Sequence, residues 1–272
     1  MGCCESRDKS KDRAPEESTY QSFMTYTRPP TPANYEIVEE AKSLGLKPLN
    51  EEDKEAYERY LYIESLENSN SWEKIKHSGW FDISKLNGTT KYDSHTPVSK
   101  IWFSLGTKVE LSIILDFLNE PKKRLSWDKN FKTYEIIDGN FPTNYTIYFL
   151  IKLFAYKGDY IEKRVVAYDK DSVVVVYYSV ENEQRPKQRW VSRGITHIGL
   201  TRIRIVNGKI EFVIIGQSDP SSTLAKLAQN VGIGLSDEWC KKYKSAILEA
   251  RKGSENRRKD TEILEENKCS CK

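Results

Sequence analysis

The chain has 272 residues, 38% of them apolar and 31% charged, and 43 basic side chains nearly balance 40 acidic ones for a formal charge of +3. That balance makes no case for a nucleic-acid binder, and no arginine-aromatic ribonucleoprotein motif occurs. No apolar run reaches the roughly 18 residues of a membrane-crossing helix, and Cys3, Cys4, Cys240, Cys269 and Cys271 offer no disulfide framework.

The N-terminus lacks the apolar core of a secretory signal, so the expected compartment is the cytoplasm. Met1-Gly2-Cys3-Cys4-Glu5-Ser6 fits N-myristoylation of Gly2, with Ser6 in the favoured position and Cys3 and Cys4 as palmitoylation sites. A single myristoyl chain binds a bilayer only marginally, so a second acyl chain is what makes such an anchor stable. The residues up to 34 are charged, hydroxyl-rich and apolar-poor, ending in Arg28-Pro-Pro-Thr-Pro32; they read as a disordered, acylated tether to a cytosolic membrane surface.

The body begins at Asn50, a cap for a helix ending near Asn68. Short strands are predicted over 72–78, 80–85 and 98–105. Thr107-Lys-Val-Glu110 has the spelling of a capping box, opening a helix apolar nearly all round that Pro121 ends. From Tyr134 the pattern is β, with strands over 134–138, 145–154, 160–169, 171–180, 191–206 and 209–216, and Asn207-Gly208 supplies a type I′ hairpin turn.

After Ser218-Asp219-Pro220, where Asp219 can cap and Pro220 can take the first helical position, a long amphipathic helix is predicted. Leu224, Leu227, Ala228, Val231, Leu235, Trp239, Tyr243 and Ile247 form its apolar stripe. Gly232 and Gly234 break the stripe and predict a kink or hinge, with Ser236, Asp237 and Glu238 as a second N-terminus. Helices and strands segregated in this way indicate an α+β domain built on one curved antiparallel sheet. The segment 253–272 is charged and reads as a flexible tail.

The order of elements and three groups of residues resemble the START domain, the family named for steroidogenic acute regulatory protein-related lipid transfer. These are Arg124-x-x-Trp127-Asp128 followed by Tyr134-Glu-Ile-Ile, Asp159-Tyr160 with Arg164, and Ser218-Asp219-Pro220 before the last helix; the likeness covers 50–252. It implies a helix-grip fold, in which the curved sheet wraps the C-terminal helix and encloses a lipid tunnel. It also implies a lipid ligand, no metal, no other cofactor and no catalysis. Carried over residue by residue, it makes Arg124 and Asp128 headgroup contacts and Trp127, Phe149 and Tyr160 tunnel or cage rings. The lid helix would add Leu224, Leu227 and Val231. A third cage position falls at Ile198 and Gly199, where this sequence has no ring, and Gly158 stands where sterol carriers have arginine.

Each of these residues has a plainer reading as well. Arg124 and Asp128 are spaced for a surface ion pair worth about 0–1 kcal/mol, and buried rings in β-rich proteins are usually core. His77, His95 and His197 form no catalytic constellation, which leaves an enzyme reading without an acid and base. The expectation is a monomeric, membrane-tethered protein that binds and transfers one lipid, phospholipid rather than sterol. The alternative is an anchored lipid sensor or adaptor that transfers none.

Overall fold

The structure is a computed structural model that describes residues 33–88, 90–93, 95–153, 156–221 and 236–269. Gly2, Cys3 and Cys4, the lid positions Leu224, Leu227 and Val231, the hinge glycines Gly232 and Gly234, and Cys271 lie outside the described residues.

Helix α1 (Ala33–Ser43) directly follows the proline-rich segment, and the sequence reading has no helix there. It buries Ile37, Val38 and Ala41, with Glu36 in its first turn and Lys42 in its last, the order its dipole favours. Strand β1 (Lys47–Pro48) leads to a 3₁₀ turn, Glu51–Asp53, where the Asn50 side chain accepts from the Glu52 amide at 3.0 Å. Helix α2 (Lys54–Glu67) follows and is capped at Asn68. Strands β2 (Glu73–Ser78), β3 (Phe81–Leu86) and β4 (Val98–Ser104) fall close to the predicted ones.

Helix α3 (Leu111–Asn119) begins three residues later than the capping-box spelling suggests. Its first amide, of Leu111, donates to the Glu40 carboxylate of α1 at 2.9 Å, while Thr107 accepts from Arg251 at 2.5 Å. A distant carboxylate has replaced the local cap. Pro121 does end α3, and it also starts α4 (Pro121–Trp127), with the Glu120 carboxylate accepting from the Lys122 and Lys123 amides. Arg124, Trp127 and Asp128 therefore sit on and just after a helical turn, not in a loop.

The remaining strands are β5 (Phe131–Asn140), β6 (Asn144–Leu153), β7 (Tyr156–Tyr168), β8 (Val173–Ser179), β9 (Ser192–Arg193), β10 (Ile195–Val206) and β11 (Lys209–Asp219). They form one sheet in the order β2-β3-β4-β11-β10-β8-β7-β6-β5, antiparallel throughout, and β1 and β9 add short parallel pairings to β7. Asn207 and Gly208 join β10 to β11 with φ of 50° and 71°, the signature expected of that pair. A Gly208→Ala substitution meets no atom within 4 Å, so its cost is backbone strain alone. The expected loss is about 1 kcal/mol, read as a lower urea midpoint with unchanged slope.

Alternation along each strand gives the sheet two apolar faces. Val174 and Val176 join Ala56 and Ile63 of α2 on one face; Val173 and Val175 point to the other. That second face receives the final helix, α5 (Ser236–Cys269), through Cys240, Tyr243 and Ile247, spaced at three and four. Tyr243 is fully buried, with ring centroids of Trp127 at 5.0 Å, Trp239 at 5.3 Å, Phe212 at 5.6 Å and Phe103 at 6.1 Å. The fold is α+β, a large curved antiparallel sheet holding a C-terminal helix. Helix α5 does not stop near Lys252 but continues to Cys269 through the charged segment expected to be a flexible tail. Strong helix formers and pairs such as Arg251–Glu255, 2.8 Å, carry it on.

Candidate ligand cavity beneath the C-terminal helix

Period-two alternation in β7 places Tyr160, Glu162 and Arg164 on the face that receives α5. An arginine there must be fully satisfied or it destabilises the core. One terminal nitrogen of Arg164 donates to Asn119 Oδ1 at 2.8 Å and to the Tyr134 hydroxyl at 2.9 Å, and the other donates to Glu162 Oε2 at 2.8 Å. The second Glu162 oxygen accepts from Thr196 at 2.7 Å, whose own hydroxyl accepts from Ser218 at 3.2 Å. Burial works against the Arg164 charge, but Tyr134 and Glu162 outweigh it and raise its pKa.

Arg124 enters from α4. It pairs with Asp128 at 3.0 Å and donates to the Leu118 carbonyl at 3.2 Å, while its Nε has no partner among the described residues. Its guanidinium carbon lies 4.6 Å from the Trp127 ring centroid, 4.8 Å from Phe131 and 5.5 Å from Trp239. Asp128 also accepts from the Trp239 indole at 3.0 Å, tying α4 to α5. Both members of the ion pair are buried, so the surface-pair reading does not hold.

Between these arginines lies a cavity of about 190 Å³, lined by Arg124, Arg164, Tyr177, Thr201, Trp239 and a set of aliphatic side chains. Burial pushes the Tyr177 hydroxyl up to about 12, so it is a neutral group at physiological pH. A mostly apolar wall with a few convergent polar groups is the usual composition of a ligand site, although this volume is below the roughly 300–1,000 Å³ typical of one. A long-chain ligand must therefore displace part of the lining.

Of the residues singled out from sequence, Arg124 lines the cavity and Trp127 and Asp128 stand behind it, Trp127 donating to the Phe117 carbonyl at 2.9 Å. Phe149 and Tyr160 do not line it. They are register partners on β6 and β7 and stack at 5.0 Å, continuing through Tyr134 on β5 at 6.0 Å. At Gly199, where the sequence has no ring, the space above the backbone is filled from the neighbouring strand: a Cβ built there would overlap the ring of Tyr177, its register partner on β8. Tyr177, Thr201 and Trp239 were not among the expected site residues. Inward alternation of β8 and β10, and the stripe position of Trp239, are the signals that point to them.

Among the described residues no group of three or more His, Cys, Asp or Glu could hold a metal ion. Cys240 is buried in α5 and its thiol is pushed up to about 12, chiefly by burial. With the four terminal cysteines changed to serine, Cys240 is expected to resist alkylation at neutral pH until urea opens α5. Stoichiometric labelling on mixing in native buffer would contradict that burial.

No protein-family model matches the chain, and neither does any curated protein sequence. Solved structures do. Human STARD10 superposes with a TM-score of 0.63 at 15% identity, over 72% of this chain and 81% of that one. Human StAR-related lipid transfer protein 5 gives 0.61 at 15% identity over 75% and 97%. The human StarD13 lipid transfer and protein localization domain gives 0.52 at 16% identity over 71% and 95%. At these identities the likeness is one of fold: the chain has the helix-grip arrangement of StAR-related lipid transfer domains.

Proposed function

We propose that this protein is a lipid-binding and lipid-transfer protein that takes one lipid between the sheet and α5, a phospholipid in preference to a sterol. The observation that carries the reading is the cavity lined by both Arg124 and Arg164, two guanidinium groups brought to one small space between the sheet and α5. A phosphate ester offers several acceptor oxygens to two guanidinium groups, in the geometry that arginine matches best. A sterol hydroxyl offers one. Acyl chains leaving water gain about 25 cal/mol per Å² buried, which supplies the free energy to displace the apolar lining. Acylation at Gly2, Cys3 and Cys4 would hold the protein at a cytosolic membrane face, and no step of the reading needs catalysis or a cofactor.

Native mass spectrometry of the full chain purified from cells, with extraction of bound lipid, tests this. The expected result is one phosphorus-containing lipid per chain, depleted in an Arg124→Ala variant that keeps its fold. A chain that is empty and takes up neither phospholipid nor sterol when offered would sink the reading. Movement of labelled lipid between separated vesicles then distinguishes transfer from sensing.

A further inference from the structure

The connection from β8 to β10 is long, and it is pinned rather than loose. Arg193 on β9 makes a two-pronged pair with the fully buried Asp159, 2.9 Å at each contact, and donates to the Arg185 carbonyl at 3.0 Å. Arg185 pairs with Glu135 at 2.5 Å, and Gln188 donates to the Tyr148 hydroxyl at 3.1 Å. Those partners lie on β5, β6 and β7, so the loop is fixed over the outer face of these strands.

The tip, Gln184-Arg-Pro-Lys-Gln-Arg-Trp190, has three cations and no carboxylate; Glu181 and Glu183 precede it. Arg185 is committed inward to Glu135, whereas Lys187 and Arg189 are exposed and have no ion-pair partner among the described residues. Trp190 is 84% exposed, and the Arg189 guanidinium lies 5.0 Å from its ring centroid. Its φ of 68° is an uncommon conformation for a bulky residue. So large a ring left in water keeps its apolar area available for burial against a partner, at about 25 cal/mol per Å².

An independent feature adjoins it. Lys152 on β6 and Lys157 on β7 are register partners, both exposed, just beyond Leu150 and Asp159 on the face the loop covers. Like charges directly opposite across a strand pair are destabilising. A polyanionic partner would reverse that sign.

We propose that the 184–190 loop and the Lys152–Lys157 pair form a docking surface for a bilayer containing anionic lipids. Lys187, Arg189, Lys152 and Lys157 face the negative headgroups, and Trp190 seats its amphipathic ring at headgroup level, where tryptophan is favoured. An exposed tryptophan beside cations that have no ion-pair partner among the described residues suits a fluid interface better than a protein hot spot, which needs a well-packed pocket around its ring. The surface uses neither Gly2, Cys3 and Cys4 nor any residue that lines the cavity, and the inference stands without acylation or a bound lipid.

The test is co-sedimentation of the full chain carrying Gly2→Ala, which removes myristoylation, with vesicles of phosphatidylcholine alone or mixed with phosphatidylserine. Binding is expected only to the mixed vesicles and is expected to weaken with added salt. Each basic residue neutralised is expected to reduce partitioning about fivefold, so Lys187→Gln with Arg189→Gln reduces it about 25-fold. Trp190→Ala should weaken it further, with the unfolding midpoint unchanged because these side chains are exposed. Failure of the Gly2→Ala chain to bind anionic vesicles, or equal binding by all variants, overturns the proposal. Capture of an acidic protein in place of vesicles overturns it too. Lipid content read by mass spectrometry on the same samples reports on the cavity independently.

Discussion

Changing Arg164 to alanine is expected to lower the free energy of unfolding by about 3–5 kcal/mol, the usual consequence of removing one partner from a buried ion pair. Glu162 would be left buried with a single hydroxyl donor, Thr196, and the Tyr134 hydroxyl and Asn119 would each lose a partner. The expected size rests on the charge left behind, not on the pair's own attraction. A Glu162→Met, Arg164→Met double variant should therefore be far closer to the parent than Arg164→Ala is. Urea unfolding at neutral pH measures both.

Strand pattern, turn chemistry and the apolar stripe made much of this architecture legible in the residues. Asn207-Gly208 marks its hairpin because only a few residue pairs tolerate two positive φ angles in succession. Glu162 and Arg164 could be placed inward by counting in twos from Tyr160. The helix boundaries failed where the cap is not local. The amide of Leu111 is satisfied by Glu40, far off in the chain, so the spelling at Thr107 misled. Pro121 read as a stop, although proline is equally at home on the first turn of the next helix, and α4 was missed. In the cavity, the four-residue spacing of Arg124 and Asp128 was visible but its burial was not. The stacking of Phe149 on Tyr160 follows from strand register, which no single-strand pattern fixes.

Tyr243→Ala is expected to match Arg164→Ala in size, at about 3–5 kcal/mol, because it removes a large, fully buried ring from the contact between α5 and the sheet. Tyr243→Phe separates the ring from its hydroxyl. It forfeits only the 3.1 Å hydrogen bond to the Ile114 carbonyl, and the expected loss is about 1 kcal/mol. The two losses also differ in what they do to the cavity. The ring of Tyr243 packs on Trp239, which lines the cavity and holds Asp128, the partner of Arg124. Weakening that contact lowers the free energy of separating α5 from the sheet, and on the proposed reading that separation is how a lipid enters and leaves. Tyr243→Ala should thus speed exchange of a bound lipid in step with its destabilisation, while Tyr243→Phe should leave exchange near that of the parent. Measured exchange rates that are equal in the two variants despite unequal stabilities would mean that the lipid passes by another route than the displacement of α5.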